Sequence, residues 1–516
     1  MKTRNWKRTL ALLTAAAMAA TSAPAVLAEE AGEELEYVKL KAISVGDANE
    51  QSDFFLEKLN ELLLRDLNCE LEIENLSWSD WKDKYSLCFA SGEDFDFIFT
   101  ASWAFYNDQA IKDGFYELTP EDIETYMPLT NAAVGDKWNQ TKVNGKIFMI
   151  PETYENYSAH DCFAVRGDLM AEAGLEEITT IADMEKYLDT AIANHPELNV
   201  FNVTGSAYTS GSAIACELSD DEIIKTYYNS PDYSTPIAGG ATLLDVSDLS
   251  NLKWVDQETV ASYYTTVYNK AKELREKGYW SSDCLSATTA IEEYYKAGNG
   301  ISVLRQLIGV FNYNIQAEEV LADCDTHIVR LSDKPFTSAA CTANGVGIHS
   351  TSKNPERTMM VIDKLGYDQE YVDLMIHGIE GEHYTLDENG NVIKNVENLW
   401  KGQPTGMGFN TNARREDAFE VVTDNYTEYN EIRAWAKDNN YTPVLTTFNF
   451  DNSAVVNEVA AISALVQQYQ PILCTGMAED VEATYNEYMA ALDAAGLETV
   501  KEEYIRQAQE YVNSLQ

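Results

Sequence analysis

Val38-Lys39-Leu40-Lys41-Ala42-Ile43 alternates apolar and polar residues with the period of a strand, and Ser52 then opens a helical face of Leu56, Leu59, Leu63 and Leu67. The pattern is strand then helix, and it repeats. Cys69 to Glu74 reads as a strand, a helix starts near Ser79, Phe95 to Phe99 reads as a buried strand, and a helix follows Trp103. This alternation predicts an α/β fold, a parallel sheet with helices on both faces.

Upstream, Lys2, Arg4, Lys7 and Arg8 precede an apolar run from Leu10 to Ala20 and the small-residue exit Val26-Leu27-Ala28. That is the pattern of a secretory signal peptide over residues 1–28, so the mature chain is expected outside the cytoplasm. Glu29 follows the exit, and no cysteine for lipid attachment stands there. No later stretch approaches the roughly 18 consecutive apolar residues of a spanning helix. With 84 acids against 37 bases and a formal charge of −47, nucleic acid is a poor partner. Disorder is the other meaning of high charge, but 30 Tyr, 9 Trp and 45% hydrophobic residues supply a core. The eight cysteines are widely spaced with no CxxC, which indicates neither a zinc site nor a disulfide scaffold.

Downstream, Asn144-Gly145-Lys146 turns into the strand Ile147 to Ile150, Pro151 stops it, and a Tyr-rich stretch leads to another strand at Phe163 to Arg166. That passage reads as a crossing between two bodies. From Asp168 to Gln306 the pattern is mostly helical, interrupted by loops between Thr204 and Asp245. Pro355 begins a helix carrying Thr358, Ile362 and Leu365, and Leu386 to Val392 is a hairpin turning at Asn389-Gly390. Helices are expected over 454–469, 479–494 and 497–514.

Five motifs in order carry a resemblance: Asp94 to Thr100 with Trp103; Asn144-Gly145-Lys146 to Pro151; Val165-Arg166-Gly167-Asp168-Leu169; Ser352-Lys353-Asn354-Pro355-Glu356; and Gly378 to Tyr384. With the ending Phe450-Asp451 to Asn457-Glu458 and Thr475-Gly476, the chain resembles extracellular solute-binding proteins (family 1) of ABC importers, in the aldouronate or sugar-type branch. The resemblance implies a two-lobed periplasmic-binding-protein type II fold, each lobe a sheet flanked by helices, with the ligand cleft between them. It implies three crossings, placed near Glu152 to Tyr157, His327 to Leu331 and His377 to Tyr384. Lobe 1 is then 36–152 with 330–378, and lobe 2 is 153–329 with 379–516. The implied function is non-catalytic binding of a small-molecule ligand, an oligosaccharide, by a monomer that hands it to ABC permease subunits without a cofactor.

Sugars present apolar faces and rims of hydroxyls, so the site needs flat aromatics and polar side chains that bond hydroxyl pairs. Trp103, just past the strand ending at Thr100, is the first platform, set against a packing role between helices. Glu152, Tyr154 and Tyr157 fall in the first crossing, where hinge packing is the plainer reading. Asp47 follows the first strand and otherwise is a turn residue. Arg305 ends a strand at the cleft edge, where a structural ion pair is the plainer role. Trp400, Phe409 and Asn410 lie in a Gly-rich loop. His377, Glu380 and His383 miss the HExxH spacing of a zinc helix, with Gly378 and Gly381 arguing for a loop, and Asp387 to Asn391 fits a hairpin better than a calcium loop. Two alternatives to an importer component are a secreted glycoside hydrolase, whose acid pair no local pattern locates, and an orphan binding protein serving a membrane sensor.

Overall fold

The computed structural model describes residues 35–515 except 78–80, 93, 155–156, 158–160, 202, 205–206, 288, 290, 322–323, 396, 402–410 and 417–423. The expected signal segment and two candidate residues, Phe409 and Asn410, lie outside the described residues. Ten strands position the cleft: β1 Val38–Val45, β2 Cys69–Leu76, β3 Phe97–Thr100, β4 Ile150–Pro151, β5 Cys162–Arg166, β6 Ser302–Arg305, β7 Thr326–Arg330, β8 Phe336–Thr337, β9 Gly345–Ile348 and β10 Asn440–Tyr441.

The first lobe is built on the sheet β2-β1-β3-β9-β4. Its first three strands are parallel, as the repeating strand and helix pattern requires, because each return passes through a helix. The helix Ser52–Leu67 buries Phe55, Leu59, Leu63 and Leu67 on one face against this sheet. β9 departs from the expected parallel order: it runs antiparallel to β3 and to β4. The reason is connectivity. The chain leaves this lobe at the end of β4 and comes back to it at the start of β9, so the two strands must run in opposite senses. A small residue is required there, since a Cβ on Gly345 would stand 2.4 Å from the Ile150 carbonyl oxygen.

The second lobe carries the sheet β6-β5-β7, in which both outer strands are antiparallel to β5. Its four residues Phe163, Ala164, Val165 and Val303 are fully buried among long helices, including Thr209–Glu217, Gln257–Glu276, Leu307–Val320 and Val456–Cys474. The last of these runs past the expected end at Tyr469, with Pro471 accommodated inside it. The closing helices Val481–Ala494 and Leu497–Ser514 fall where the sequence puts them. Asp387 closes the hairpin Tyr384–Leu386 with Val392–Lys394, its Oδ1 accepting the Asn389 and Asn391 N–H groups at 2.8 Å each.

Two expected crossings are displaced. His327 to Leu331, expected as the second, lies in β7 and at its end and packs in the second-lobe core with Phe336, so the chain passes to the first lobe later, ahead of β9. Residues 379–395 and 397–400 stay with the first lobe: Ile379 and Trp400 pack on its core, and the Trp400 indole N–H donates to the Met375 carbonyl at 3.2 Å. Gly378 takes φ +85 and lets the chain turn back beneath the Trp400 ring, which a Cβ at that position would meet at 2.6 Å. The chain next joins the second lobe in the helix Asp424–Asp438, whose Tyr429 and Ala436 belong to that core.

Candidate functional site

The registers show which strand ends meet at the crossings. In the first lobe Gly345 pairs with Thr100 and with Pro151, which places the ends of β3 and β4 and the start of β9 at one edge. In the second lobe Cys162, where the chain enters, pairs with Arg305 and Arg330, the last residues of β6 and β7. The two edges face the same pair of crossings. A direct bond also links the lobes, from Asn107 Nδ2 to Asn449 Oδ1 at 3.1 Å.

Between the edges lies a cavity of about 190 Å³ lined from both lobes and both crossings, with Lys137 and Gln140 on one side, Asn440 and Thr442 on the other, and Glu152 and Asn344 between. Its frame is hydrogen-bonded. Glu152 donates its N–H to the Asn344 carbonyl at 3.0 Å and accepts from Asn344 Nδ2 at 3.1 Å. Thr153 Oγ1 bonds the Tyr367 hydroxyl at 2.8 Å and Asn412 Oδ1 at 3.1 Å. Gln140 Oε1 accepts the Cys341 N–H at 3.3 Å. Such a site offers carbonyl, carboxylate, amide and ammonium groups to a hydroxyl-rich ligand.

Of the candidates read from the sequence, Glu152, Tyr154 and Tyr157 line this cavity. Tyr157 is buried, sits 5.8 Å from the Phe336 ring and bridges to Ser338, so its body packs the hinge. Tyr154 is held by cations, with the Arg414 and Arg433 guanidinium carbons 5.1 and 5.5 Å from its ring centre. Trp103 stands at the end of β3, 51% exposed, with its indole N–H on the Ala343 carbonyl at 2.6 Å and its ring edge-on to Trp81 at 5.6 Å. That bond brings it to the second crossing beside the cavity. Asp47 is exposed in the loop after β1.

Two candidates do not serve as expected. Arg305 ends β6 at the cleft edge, but its Nε is bound to Glu292 at 2.5 Å and both side chains are largely buried, which makes it a structural ion pair. Trp400 is wedged between Phe54, Phe55 and His383, with ring centres 6.2, 6.3 and 4.6 Å away. The Gly-rich stretch gave no sign of this packing, because its partners come from a helix near the start of the chain. Near it, His383 Nδ1 accepts the Ile379 N–H at 3.1 Å, consistent with a loop between His377 and His383.

Lys137, Gln140, Asn344, Asn440 and Thr442 escaped the sequence reading. Only Asn344 had a usable signal, the small-residue run Ala343-Asn344-Gly345-Val346-Gly347 that lets backbones approach closely.

Beneath the crossings the second lobe buries a set of charges. Arg330 Nε donates to Asp161 Oδ2 at 2.7 Å, and its guanidinium lies 4.2 Å from the Phe336 ring centre and 4.8 Å from that of Trp435. Burial nonetheless lifts the Asp161 carboxyl above its ordinary range. Glu217 is more strongly affected: burial first, then the nearby Asp161 charge, push its pKa up to about 8. Asn229 Nδ2 donates to its Oε1 at 3.3 Å, and Lys334 reaches the neighbouring Tyr228 carbonyl. Cys216, beside Glu217, is a buried thiol whose pKa is raised by burial.

Residues 444–513 match the family described as a domain of unknown function, DUF3502. Over 99% of both chains the protein is 24% identical to a carbohydrate ABC transporter substrate-binding protein of Streptococcus pneumoniae. The N-glycan transport solute binding protein of the same species superimposes with a TM-score of 0.70 at 20% identity, covering 93% of this chain and 100% of that one. An alginate-binding protein superimposes with a TM-score of 0.62 at 14% identity, over 92% and 98% of the two chains. The fold is therefore the two-lobed solute-binding fold, and the resemblance carried by the five motifs extends along the whole chain.

Proposed function

We propose that this chain, built on that two-lobed fold, is the extracytoplasmic solute-binding component of an ABC importer and holds an oligosaccharide between its lobes without altering it. The observation that carries the reading is the cavity framed by Glu152 and Asn344, lined at once by both lobes and both crossings. Closing the lobes on a ligand there uses the crossings as hinges, the usual mode for such proteins. The polar rim suits sugar hydroxyls, and Trp103 at the cavity edge supplies an aromatic face. The pneumococcal relative of like length is named for carbohydrate transport, which supports the ligand class.

Hydrolysis by two carboxylates needs a pair roughly 5 to 9.5 Å apart across the scissile bond. Among the described residues lining the cavity, Glu152 is the one acid. This favours binding over turnover. The protein acts as a monomer outside the cell and delivers its ligand to the permease subunits.

Titration calorimetry with a panel of neutral and acidic oligosaccharides, followed by chromatography of the recovered sugar, tests the reading. Micromolar or tighter binding with intact sugar is the expected result. Shortened products, or no binding across the panel, would overturn it.

A further inference from the structure

At the start of β7, the end away from the cleft, the second lobe gathers three side chains of the kinds that bind metal ions. Asp325, His327 and Asp424 each place one donor atom within 4.8 Å of the other two. Asp325 and His327 flank Thr326, the first residue of β7, and Asp424 opens the helix Asp424–Asp438. The backbones that carry them are held by a buried bridge. Asn314, fully buried on the helix Leu307–Val320, donates through Nδ2 to the His327 carbonyl at 3.0 Å and to Asn425 Oδ1 at 2.9 Å. Its own Oδ1 accepts from the Tyr295 hydroxyl at 2.8 Å, so the spacing of strand and helix is set by packing and not by the three donors.

The orientation of His327 decides what the group can do. Its Nδ1 stands 2.8 Å from Glu428 Oε1, and a carboxylate only accepts, so Nδ1 carries the hydrogen. Glu428 is fixed in turn, its Oε2 accepting the Ile328 N–H at 2.5 Å. The ring therefore turns Nε2 towards Asp325, whose Oδ2 is 4.0 Å away. A nitrogen lone pair facing carboxylate oxygens calls for a cation between them. An outer carboxylate that sets the tautomer and the plane of a histidine is the arrangement found behind metal-ligating histidines. Donor atoms around zinc lie ~2.0 to 2.2 Å from the ion, hence roughly 3 to 3.5 Å from one another. Asp325 has to close by less than about 1 Å to reach that spacing, and its side chain, 63% exposed, is free to turn. Asp424 is exposed as well, so an ion can enter from solvent.

We propose that Asp325, His327 Nε2 and Asp424 bind one divalent first-row transition ion of the zinc type, with Glu428 as the positioning residue for His327 and water completing the coordination. The imidazole nitrogen selects against calcium and magnesium, which take oxygen ligands. The ion clamps strand to helix at the outer end of the second lobe. β7 ends at Arg330 on the cleft edge, and the helix leads into Asn440, which lines the crossing cavity. The clamp thus stiffens that wall of the cavity without touching what the cavity holds, and the proposal stands apart from the oligosaccharide reading.

The test strips the purified full chain with a chelator and titrates it by calorimetry with zinc chloride, and separately with calcium chloride. Asp325→Asn, Asp424→Asn and Glu428→Gln are compared with wild type, and melting curves taken in chelator check that each is folded. The expected result is one zinc ion per chain at micromolar affinity or tighter, a higher melting temperature with zinc, and no matching response to calcium. Each folded variant is expected to lose about tenfold or more in zinc affinity while its melting curve in chelator stays near that of wild type. X-ray absorption of the zinc-loaded wild type should show one imidazole nitrogen on the metal. Zinc affinity unchanged in the folded variants, calcium binding as tight as zinc, or a bound zinc without an imidazole marks adventitious capture by an acidic surface and overturns the proposal. Absence of saturable zinc binding overturns it too, and leaves an imidazolium held among carboxylates.

Discussion

Glu152 and Asn344 face each other across the two crossings and bond in both directions, backbone N–H to carbonyl at 3.0 Å and side-chain amide to carboxylate at 3.1 Å. The first residue follows the last strand of the outbound chain, and the second precedes the first strand of its return. A ligand in the cavity would therefore touch the hinge itself, and its binding would be coupled to the angle between the lobes.

Replacing Asn344 with Asp puts a second carboxylate against Glu152. Ligand affinity is expected to fall about tenfold, the equivalent of roughly 1.4 kcal/mol. Calorimetry reads the loss, and raising the salt concentration should recover part of it.

Trp103→Ala removes an aromatic face that is half exposed and that meets the fold through its indole hydrogen bond and the rings of Trp81 and Phe99. The expected loss is about 2 kcal/mol of binding, with a melting temperature within a few degrees of wild type. A fully packed Trp would behave otherwise, with a cavity penalty of ~3 to 5 kcal/mol in the unliganded fold.

Asp161→Ala strands the Arg330 guanidinium, whose side chain is 8% exposed. Urea denaturation should show a loss of about 3 kcal/mol or more, the usual result of removing one member of a buried pair. Arg330→Met is expected to be milder, because a long apolar chain keeps contact with Phe336 and Trp435 while Asp161 takes up a proton.

Glu217 sets a pH dependence of opposite sign to the common carboxylate case. Its folded pKa, pushed up to about 8, lies above the ordinary glutamate value of 4.5. Between these values the folded state holds a proton that the unfolded chain has released, so its contribution to stability declines as pH rises from about 4.5 and levels off above about 8. Glu217→Gln keeps the Asn229 contact and removes the titration. Its melting temperature should match wild type near pH 4.5 and exceed it by about 5 °C or more at pH 8, in scanning calorimetry across that range.

The parallel half of the first sheet was legible because each of β1, β2 and β3 is announced by its own local period and followed by a helix. The sense of β9 was not, since Gly345 to Ile348 reads the same in either direction and only the route through the second lobe decides it. Trp103 was found by position, one short loop past the end of β3. Tyr154 lines the cavity, but Arg414 and Arg433, which hold its ring, come from a distant segment and left no mark around it. Arg305 and Trp400 failed for one reason: their partners Glu292 and Phe54 lie on separate elements, and a cation or aromatic in a loop looks free until those elements are folded around it.

The insertion of β9 between β3 and β4 also orders events in time. Among the described residues β4 meets the rest of its sheet through a strand that begins at Gly345, so the first lobe stays open-edged until the stretch of the second lobe between β4 and β9 has been synthesised. A chain that cannot complete its N-terminal half early has few long-range contacts to rely on while it is being made, and such contacts form slowly. Late closure keeps the polypeptide threadable, which would suit the export proposed for it.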